Sequence, residues 1–218
     1  MIALKKCFFV IPFILFSVSL FSQKKFFEPE TYVGVNLGQT GSMVNFSPSV
    51  DQSFLLGYHG GLVYRYIADK NMGVQAELNY SQRGWNETDN LFSRRLDYLE
   101  IPFMTHFFFG RNFRFFINLG PRVSYLISDN ILKNNTIIST KVQHISAIEN
   151  RFDYGFCGGI GFLLKIKQQV FQIDARGNYS MSDIYSNDKK DFFDTSNNIN
   201  ASVSFAWLMK IKKPQISR

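Results

Sequence analysis

The stretch Met72–Arg83, with the sequence MGVQAELNYSQR, decides the fold because apolar and polar residues alternate along most of its length. Successive side chains of a β-strand point to opposite faces, so this alternation predicts a strand with one apolar and one polar face. The apolar face holds Val74, Ala76, Leu78 and Tyr80, and the polar face holds Gln75, Glu77, Asn79 and Ser81.

The same alternation recurs along the chain and predicts eight strands, while no segment has convincing helical periodicity. An even number of strands lets an antiparallel up-and-down meander close into a barrel with both termini on one side. The predicted strands are Tyr32–Leu37, Leu56–Ile67, Met72–Arg83, Leu96–Phe109, Phe113–Tyr125, Phe152–Leu164, Phe171–Tyr179 and Ile199–Trp207.

The connections between these strands alternate between short and long. Bacterial outer-membrane barrels have tight periplasmic turns and longer extracellular loops. The alternation therefore predicts an all-β, eight-stranded antiparallel transmembrane barrel whose termini and short turns lie in the periplasm. The short connections are Ala68–Asn71, Gly110–Asn112 and Lys165–Gln169, and the long ones are Gly38–Ser53, Gly84–Arg94, Ile127–Asn150 and Ser180–Asn198.

A soluble eight-stranded barrel of the lipocalin type shares this strand pattern, but its apolar face points inward and its polar face points to the solvent. The lysines argue against it, since none lies in the middle of a predicted strand, and a lysine facing lipid at the membrane midplane costs about 2 to 4 kcal/mol. Aromatic residues also recur on the apolar face near the strand ends, as the girdle of a membrane barrel does. The predicted girdle consists of Tyr80, Tyr125, Tyr154 and Tyr179 at the loop side and Trp207 at the opposite interface.

The N-terminal residues have the pattern of a Sec signal peptide. Lys5 and Lys6 precede a nearly unbroken apolar run from Cys7 to Phe21, and Ser22 precedes the expected cleavage point. We therefore expect export through the Sec pathway to the outer membrane of a Gram-negative bacterium. The expected organisation is a signal peptide over residues 1–22, a periplasmic lead over 23–30, the barrel over 31–211 and a periplasmic tail over 212–218.

The polar faces of the predicted strands carry four arginines and four carboxylates. The interior of an eight-stranded barrel is just wide enough for side chains to fill it, so these groups must pair with one another unless they lie at the rims and meet water. We therefore predict a neutral charge network that closes the lumen. Its members are Arg65, Arg114, Arg122, Arg176, Glu77, Glu100, Asp153 and Asp174.

The fourth predicted strand departs from the regular pattern. Its alternation slips around Tyr98 and Leu99, and Pro102 lies inside it. Proline lacks the N–H that a sheet requires, and in sheets it is found at edges or bulges. A closed barrel has no edges, so we predict a β-bulge near Leu99 to Pro102.

No catalytic, cofactor-binding or metal-binding residue is predicted. His59, His106 and His144 lie far apart in the sequence and lack the spacing of metal ligands. An outer-membrane acyltransferase could place a His, an Asp and a Ser on its loops, and His144 with Asp129 or Asp183 would be such a combination. Loops rich in Asn, Ser and Asp offer such combinations by chance, so we expect no enzyme.

Five segments of the chain match a known family, and they are Gly57–Gly61, Gln75–Gly84, Leu96–Pro102, Leu119–Arg122 and Asp174–Ser180. They resemble the PorT-like outer-membrane β-barrel proteins, and the similarity covers nearly all of the chain beyond the signal peptide. The Tyr-Leu-Glu-Ile-Pro motif is the most specific of the matching elements. The resemblance implies an outer-membrane barrel without known enzymatic chemistry, and the members that give the family its name are accessories of a secretion and gliding machinery.

The composition adds little about partners. The net charge is +7, but no run of five or six Lys or Arg is present, so no nucleic-acid partner is predicted. We predict a structural or adaptor role in contact with outer-membrane lipid, exerted on protein partners by extracellular loops or periplasmic turns. A small channel or a loop-mediated ligand receptor is the alternative.

Overall fold

Paired strands dominate the computed structural model, which describes residues 27–88, 91–134, 141–185 and 192–211. Among these residues, eight long antiparallel strands and the two-residue strand β2 form one sheet, and one short helix, α1, lies between β6 and β7. The predicted signal peptide, the predicted tail and the first half of the lead, residues 23–26, lie outside the described residues. The strands are β1 (Glu30–Ser47), β2 (Gln52–Ser53), β3 (Leu55–Ile67), β4 (Met72–Glu87), β5 (Phe92–Gly110), β6 (Phe113–Asn134), β7 (Phe152–Ile166), β8 (Gln169–Asp183) and β9 (Thr195–Ile211), and α1 is Val142–Ile145.

The sheet closes on itself. Each long strand pairs with its neighbour in the chain, and β9 returns to pair with β1 from Thr31 opposite Ile211 to Ser47 opposite Thr195. The pairing of β4 with β5 completes the ring, while β2 only adds a short pairing to the end of β4. The predicted eight-stranded up-and-down barrel is therefore confirmed.

The outer face of the ring is apolar and the inner face is polar. Leu62 on β3 and Leu119 on β6 are exposed to about 60%, whereas Asn118 and Arg122, also on β6, are buried. A soluble barrel buries its apolar face, so this arrangement excludes the lipocalin alternative and suits a barrel surrounded by lipid. No helix among the described residues is long and apolar enough to span a membrane.

Several strands run further than the sequence predicted. β1 continues to Ser47 and β6 to Asn134, so parts of the predicted long connections are strand. The helix Val142–Ile145 was not predicted either. Beyond the aromatic girdle no lipid faces the strands, so the alternation that marked them in the sequence ends although the backbone pairing continues.

The predicted bulge near Leu99 to Pro102 is wrong in position. Pro102 pairs in register with Arg122, and the register between β5 and β6 shifts nearer the loop end, at Ser93/Arg94 and at Asp97/Tyr98. On the other side of β5, the pairing with β4 is interrupted at Pro102 without any change of register. The barrel thus accommodates the missing N–H by omitting ladder hydrogen bonds rather than by adding a residue.

The orientation leads to a labelling prediction. A thiol introduced as Lys133→Cys, near the loop end of β6, should react with a membrane-impermeant maleimide on intact cells, because the alternation of connection lengths predicts that this end is extracellular. A thiol introduced as Lys70→Cys, in the turn between β3 and β4, should react only after the outer membrane is permeabilised. The native Cys157 is buried and serves as the unlabelled background. Labelling of the Lys70→Cys variant on intact cells would reverse the orientation.

Candidate functional site

The lumen holds two clusters of charged side chains. In the first, Arg176 binds Glu77 through two parallel hydrogen bonds of 2.9 Å. The Glu77 carboxylate also accepts hydrogen bonds from the side-chain amides of Gln75, Asn79 and Asn36. Glu77 and Arg176 are both buried, so the charges of this pair are satisfied by protein groups inside the barrel.

The second cluster is a ring of two arginines and two carboxylates. Arg122 contacts Glu100 and Asp153 at 3.2 Å each, and Arg83 contacts Asp153 at 2.8 Å and also contacts Glu100. The guanidinium of Arg83 lies over the ring of Tyr98, 4.9 Å from its centroid. Each carboxylate is therefore held by both arginines, and all four charges are buried.

Arg65 and Asp174 belong to a connected part of the lumen. Arg65 donates to the side-chain oxygens of Gln75 and Gln172 rather than directly to a carboxylate. Gln172 in turn donates to Asp174 at 2.7 Å, and Asp174 lies 3.7 Å from Arg176. Gln75 and Gln172 thus connect Arg65 to the carboxylates of Glu77 and Asp174 through hydrogen bonds.

The prediction that Arg114 belongs to the lumen charge network is wrong. It lies half-buried at the end of the barrel that carries the short turns, where its Nε donates to the main-chain oxygen of Arg111 and its guanidinium covers the ring of Phe108. None of its described contacts is with a carboxylate. Arg83 occupies the fourth cationic position instead, and the alternation that predicted β4 already placed Arg83 on the inner face, at the end of the predicted strand.

The predicted girdle residues lie on the outer face. Tyr80 pairs with Leu99, Leu99 with Tyr125, and Tyr125 with Phe152, so these side chains form one row across four strands. Tyr154 and Tyr179 are also half-exposed on this face. Trp207 is 40% exposed on β9 and donates its indole N–H to Gln169.

Apolar clusters lie inside both ends of the barrel, and neither was predicted. Phe27, which precedes β1, packs against the cluster at the short-turn end. Beside this cluster, Glu30 binds the ammonium groups of Lys165 and Lys210 at 2.8 and 2.7 Å. The cluster at the short-turn end is Tyr32, Val63, Ile67, Phe108, Phe116, Leu163, Val170, Ala206 and Leu208, and that at the loop end is Val44, Phe46, Trp85, Phe92, Leu96, Tyr98, Leu126, Ile148, Ile184, Tyr185 and Phe193.

Arg94 ties the segments at the loop end of the barrel together around the loop-end cluster. Its guanidinium binds the Asp129 carboxylate on β6 at 2.5 and 2.8 Å, and it donates to the main-chain oxygen of Ser146 at 2.8 Å. It also donates to the hydroxyl of Tyr185 at 3.1 Å. Burial raises the pKa of Tyr185 to about 12, so this hydroxyl stays neutral and donates in turn to the main-chain oxygen of Gln143. We call the packed segments at the loop end, which contain the loop-end cluster, Arg94, Asp129, the helix α1 and Tyr185, the extracellular cap.

Glu87 holds the helix α1 in the cap. Its carboxylate accepts from Lys141 at 2.6 Å and from Gln143 at 3.0 Å, and it contacts Nε2 of His144 at 2.6 Å. The His144 ring stacks on Phe92 with 3.8 Å between centroids. These contacts order the chain immediately after the segment 135–140, which lies outside the described residues.

The combination of His144 with Asp129 or Asp183 does not form. Asp129 binds Arg94, and Asp183 accepts from the main-chain N–H of Ser196, whereas His144 contacts Glu87. The other two histidines bind lumen side chains, His59 to Thr40 and His106 to Asn118. Within the described part of the chain, no group of three or more His, Cys, Asp or Glu residues could hold a metal ion.

An apolar outer face with an aromatic row, a polar interior and closed strand pairing together define a small transmembrane β-barrel of the outer-membrane type. The family model described as outer membrane protein beta-barrel domain matches residues 21–186. The chain belongs to this family, whose place is the outer membrane of Gram-negative bacteria. A search of curated protein sequences found no match.

Solved structures share the fold at low identity. OprG of Pseudomonas aeruginosa has a TM-score of 0.51 and 10% identity, with 84% of this chain and 96% of OprG covered. Neisserial surface protein A has a TM-score of 0.51 and 11% identity, with 85% of this chain and 100% of that protein covered. Ail of Yersinia pestis has a TM-score of 0.42 and 12% identity, with 83% of this chain and 99% of Ail covered. These similarities concern the fold alone.

Proposed function

We propose that this protein is a non-enzymatic outer-membrane barrel that acts as a structural or adaptor protein, exported by the Sec pathway, and that its extracellular cap is the surface that meets a protein partner. The observation that carries the proposal is the ordered cap above a filled lumen. Arg94 links β5 to β6, to the chain after α1 and to Tyr185, so the cap presents a fixed surface. Preordered surfaces lose less conformational entropy on binding.

The filled lumen argues against the channel alternative. Arg65, Arg83 and Arg122 are at most 2% exposed, and apolar clusters lie above and below them. An ion would have to break buried ion pairs and then pass two apolar layers. The accessory role in secretion or gliding rests only on the resemblance to the PorT-like proteins, which fits an adaptor without an open pore.

The loop-mediated receptor remains a second candidate because of one groove in the cap. This groove has a volume of about 450 Å³ and lies between the segment after β1, the end of β4 and α1. Asp51, Glu87 and Lys141 provide polar groups along it, and Val142 and Phe192 provide apolar ones. A groove of this size and mixed polarity suits a small ligand.

Conductance and co-purification together test the adaptor proposal. In planar bilayers the wild-type protein should show no steady conductance, because the lumen is filled. Extraction in mild detergent should recover a stoichiometric protein partner, and the double variant Ile145→Ala/Phe192→Ala should lose it, since both side chains are exposed on the cap. The variant Lys70→Gln at the opposite end is the control and should keep the partner. Stable channel openings, or no partner with any form of the protein, would contradict the proposal.

A further inference from the structure

The described charges are distributed unevenly between the two ends of the barrel. The end with the short turns, which we call the periplasmic rim, carries six basic and three acidic side chains, whereas the loop end carries five basic and seven acidic ones. The rim charges are Lys70, Arg111, Arg114, Lys165, Lys167 and Lys210 with Glu28, Glu30 and Asp69. The loop-end charges are Arg94, Arg95, Lys133, Lys141 and Arg151 with Asp51, Glu87, Asp97, Asp129, Glu149, Asp183 and Asp194.

Several of the basic groups on the rim have no carboxylate partner. Lys165 and Lys210 both bind Glu30 and are thereby neutralised in part. Among the described contacts, the charged ends of Lys70, Arg111 and Lys167 make no ion pair, and all three residues are exposed. The rim therefore has cationic groups available for an external anion.

Hydrogen bonds between each turn and the next strand make the rim a rigid ring. In the turn between β3 and β4, Asn71 exchanges two hydrogen bonds with the main chain of Phe108 on β5. The turn between β5 and β6 accepts the N–H of Lys165 on β7, at the oxygen of Asn112. The turn between β7 and β8 likewise accepts the N–H of Lys210 on β9. The backbones of the turns that carry these cations are thus held at fixed positions around the barrel.

The cations also lie next to the lipid-facing surface. Arg111 lies between Phe109 and Phe113, which are 56% and 62% exposed on the outer face. Lys167 follows the exposed Ile166, and Lys70 lies two residues before the exposed Met72. Apolar side chains of this kind end at the boundary of the hydrocarbon core, so the adjacent cations are at the level of the lipid phosphates.

We infer that the periplasmic rim binds the phosphate groups of anionic phospholipids in the inner leaflet of the outer membrane, with Arg111 as the principal site and Lys70 and Lys167 as further contacts. Arg114 does not belong to this site, because its guanidinium covers the ring of Phe108, which is buried inside the end of the barrel. Arginine guanidinium groups bind phosphate oxygens with two parallel hydrogen bonds. A lipid fits better than an acidic protein because the cations recur around the whole rim, beside lipid-facing side chains, instead of forming one patch.

Lipid retention measured by native mass spectrometry tests this inference. The full-length mature protein is reconstituted in nanodiscs of equal parts phosphatidylglycerol and phosphatidylcholine and then released in mild detergent. The wild type should retain phosphatidylglycerol preferentially, and each cation removed in Arg111→Gln/Lys167→Gln should lower that preference by about fivefold. The variant Lys133→Gln/Arg151→Gln loses the same charge at the loop end and should keep the wild-type ratio.

Added salt and inorganic phosphate distinguish lipid binding at the rim from other causes of a change in lipid retention. Added salt should weaken the preference of the wild type, because exposed charges are screened. Equal ratios for the wild type and the rim variant, or equal losses in both double variants, would overturn the inference. If inorganic phosphate protected the protein against thermal unfolding as well as phosphatidylglycerol does, the rim would be a site for free anions and not for lipid. If the rim variant kept the lipid ratio but lost a periplasmic protein, the rim would be a protein-docking surface and the lipid inference would be wrong.

Discussion

Replacing Arg83 by methionine is expected to lower the free energy of unfolding of the barrel by about 3 to 5 kcal/mol. Arg83 contacts both Glu100 and Asp153, and its side chain is fully buried. Without it, the two carboxylates share only Arg122 and leave one uncompensated negative charge inside the barrel. Urea-induced unfolding in lipid vesicles, followed by tryptophan fluorescence, measures the change.

Two further variants make this result specific to charge pairing. Arg95 pairs with Asp97 at 3.0 Å but keeps 31% of its side chain exposed, so Arg95→Met should cost about 1 kcal/mol or less. Adding Asp153→Asn to Arg83→Met removes the surplus negative charge and should restore part of the lost stability. Equal stability of the Arg83→Met and Arg95→Met proteins, or further loss in the double variant, would show that the lumen charges do not act as a paired network.

The second large effect is expected for Arg94→Met, which should loosen the extracellular cap without unfolding the barrel. Arg94 makes hydrogen bonds to Asp129, Ser146 and Tyr185, and hydrogen bonds to charged groups contribute about 1.5 to 3 kcal/mol each. The free energy needed to open the cap locally should therefore fall by at least the contribution of one such hydrogen bond. Amide hydrogen exchange in α1 and around Tyr185 should rise on the order of tenfold or more.

The barrel itself should stay intact in this variant. Its mobility on gels should still differ between unheated and boiled samples, because none of the paired lumen charges is changed. Lys133→Met removes a positive charge from the exposed end of β6 and should leave exchange in the cap unchanged. Wild-type exchange rates in the Arg94→Met protein would mean that apolar packing alone orders the cap.

The sequence determined the class of fold because the membrane imposes one requirement on every residue of a spanning strand. Lipid outside and a crowded polar lumen inside force a period of two, so Val74 to Ser81 already define both faces of β4. The absence of lysine from the middle of the strands and the alternation of connection lengths follow from the same constraint. The placement of Glu77, Arg122 and Asp153 on the inner face was therefore readable from the sequence.

Only the tertiary structure decided which of these groups meet. A period of two gives the face of a side chain but not its height in the barrel, which depends on the stagger of the strands. Arg83 binds Asp153, 70 residues away, while Arg114 lies too far towards the rim to reach the carboxylates of the lumen network. The cap was hidden for a different reason: its strands lie beyond the lipid and lose the alternation, and Arg94 joins segments 35 to 91 residues away through contacts that no local pattern encodes.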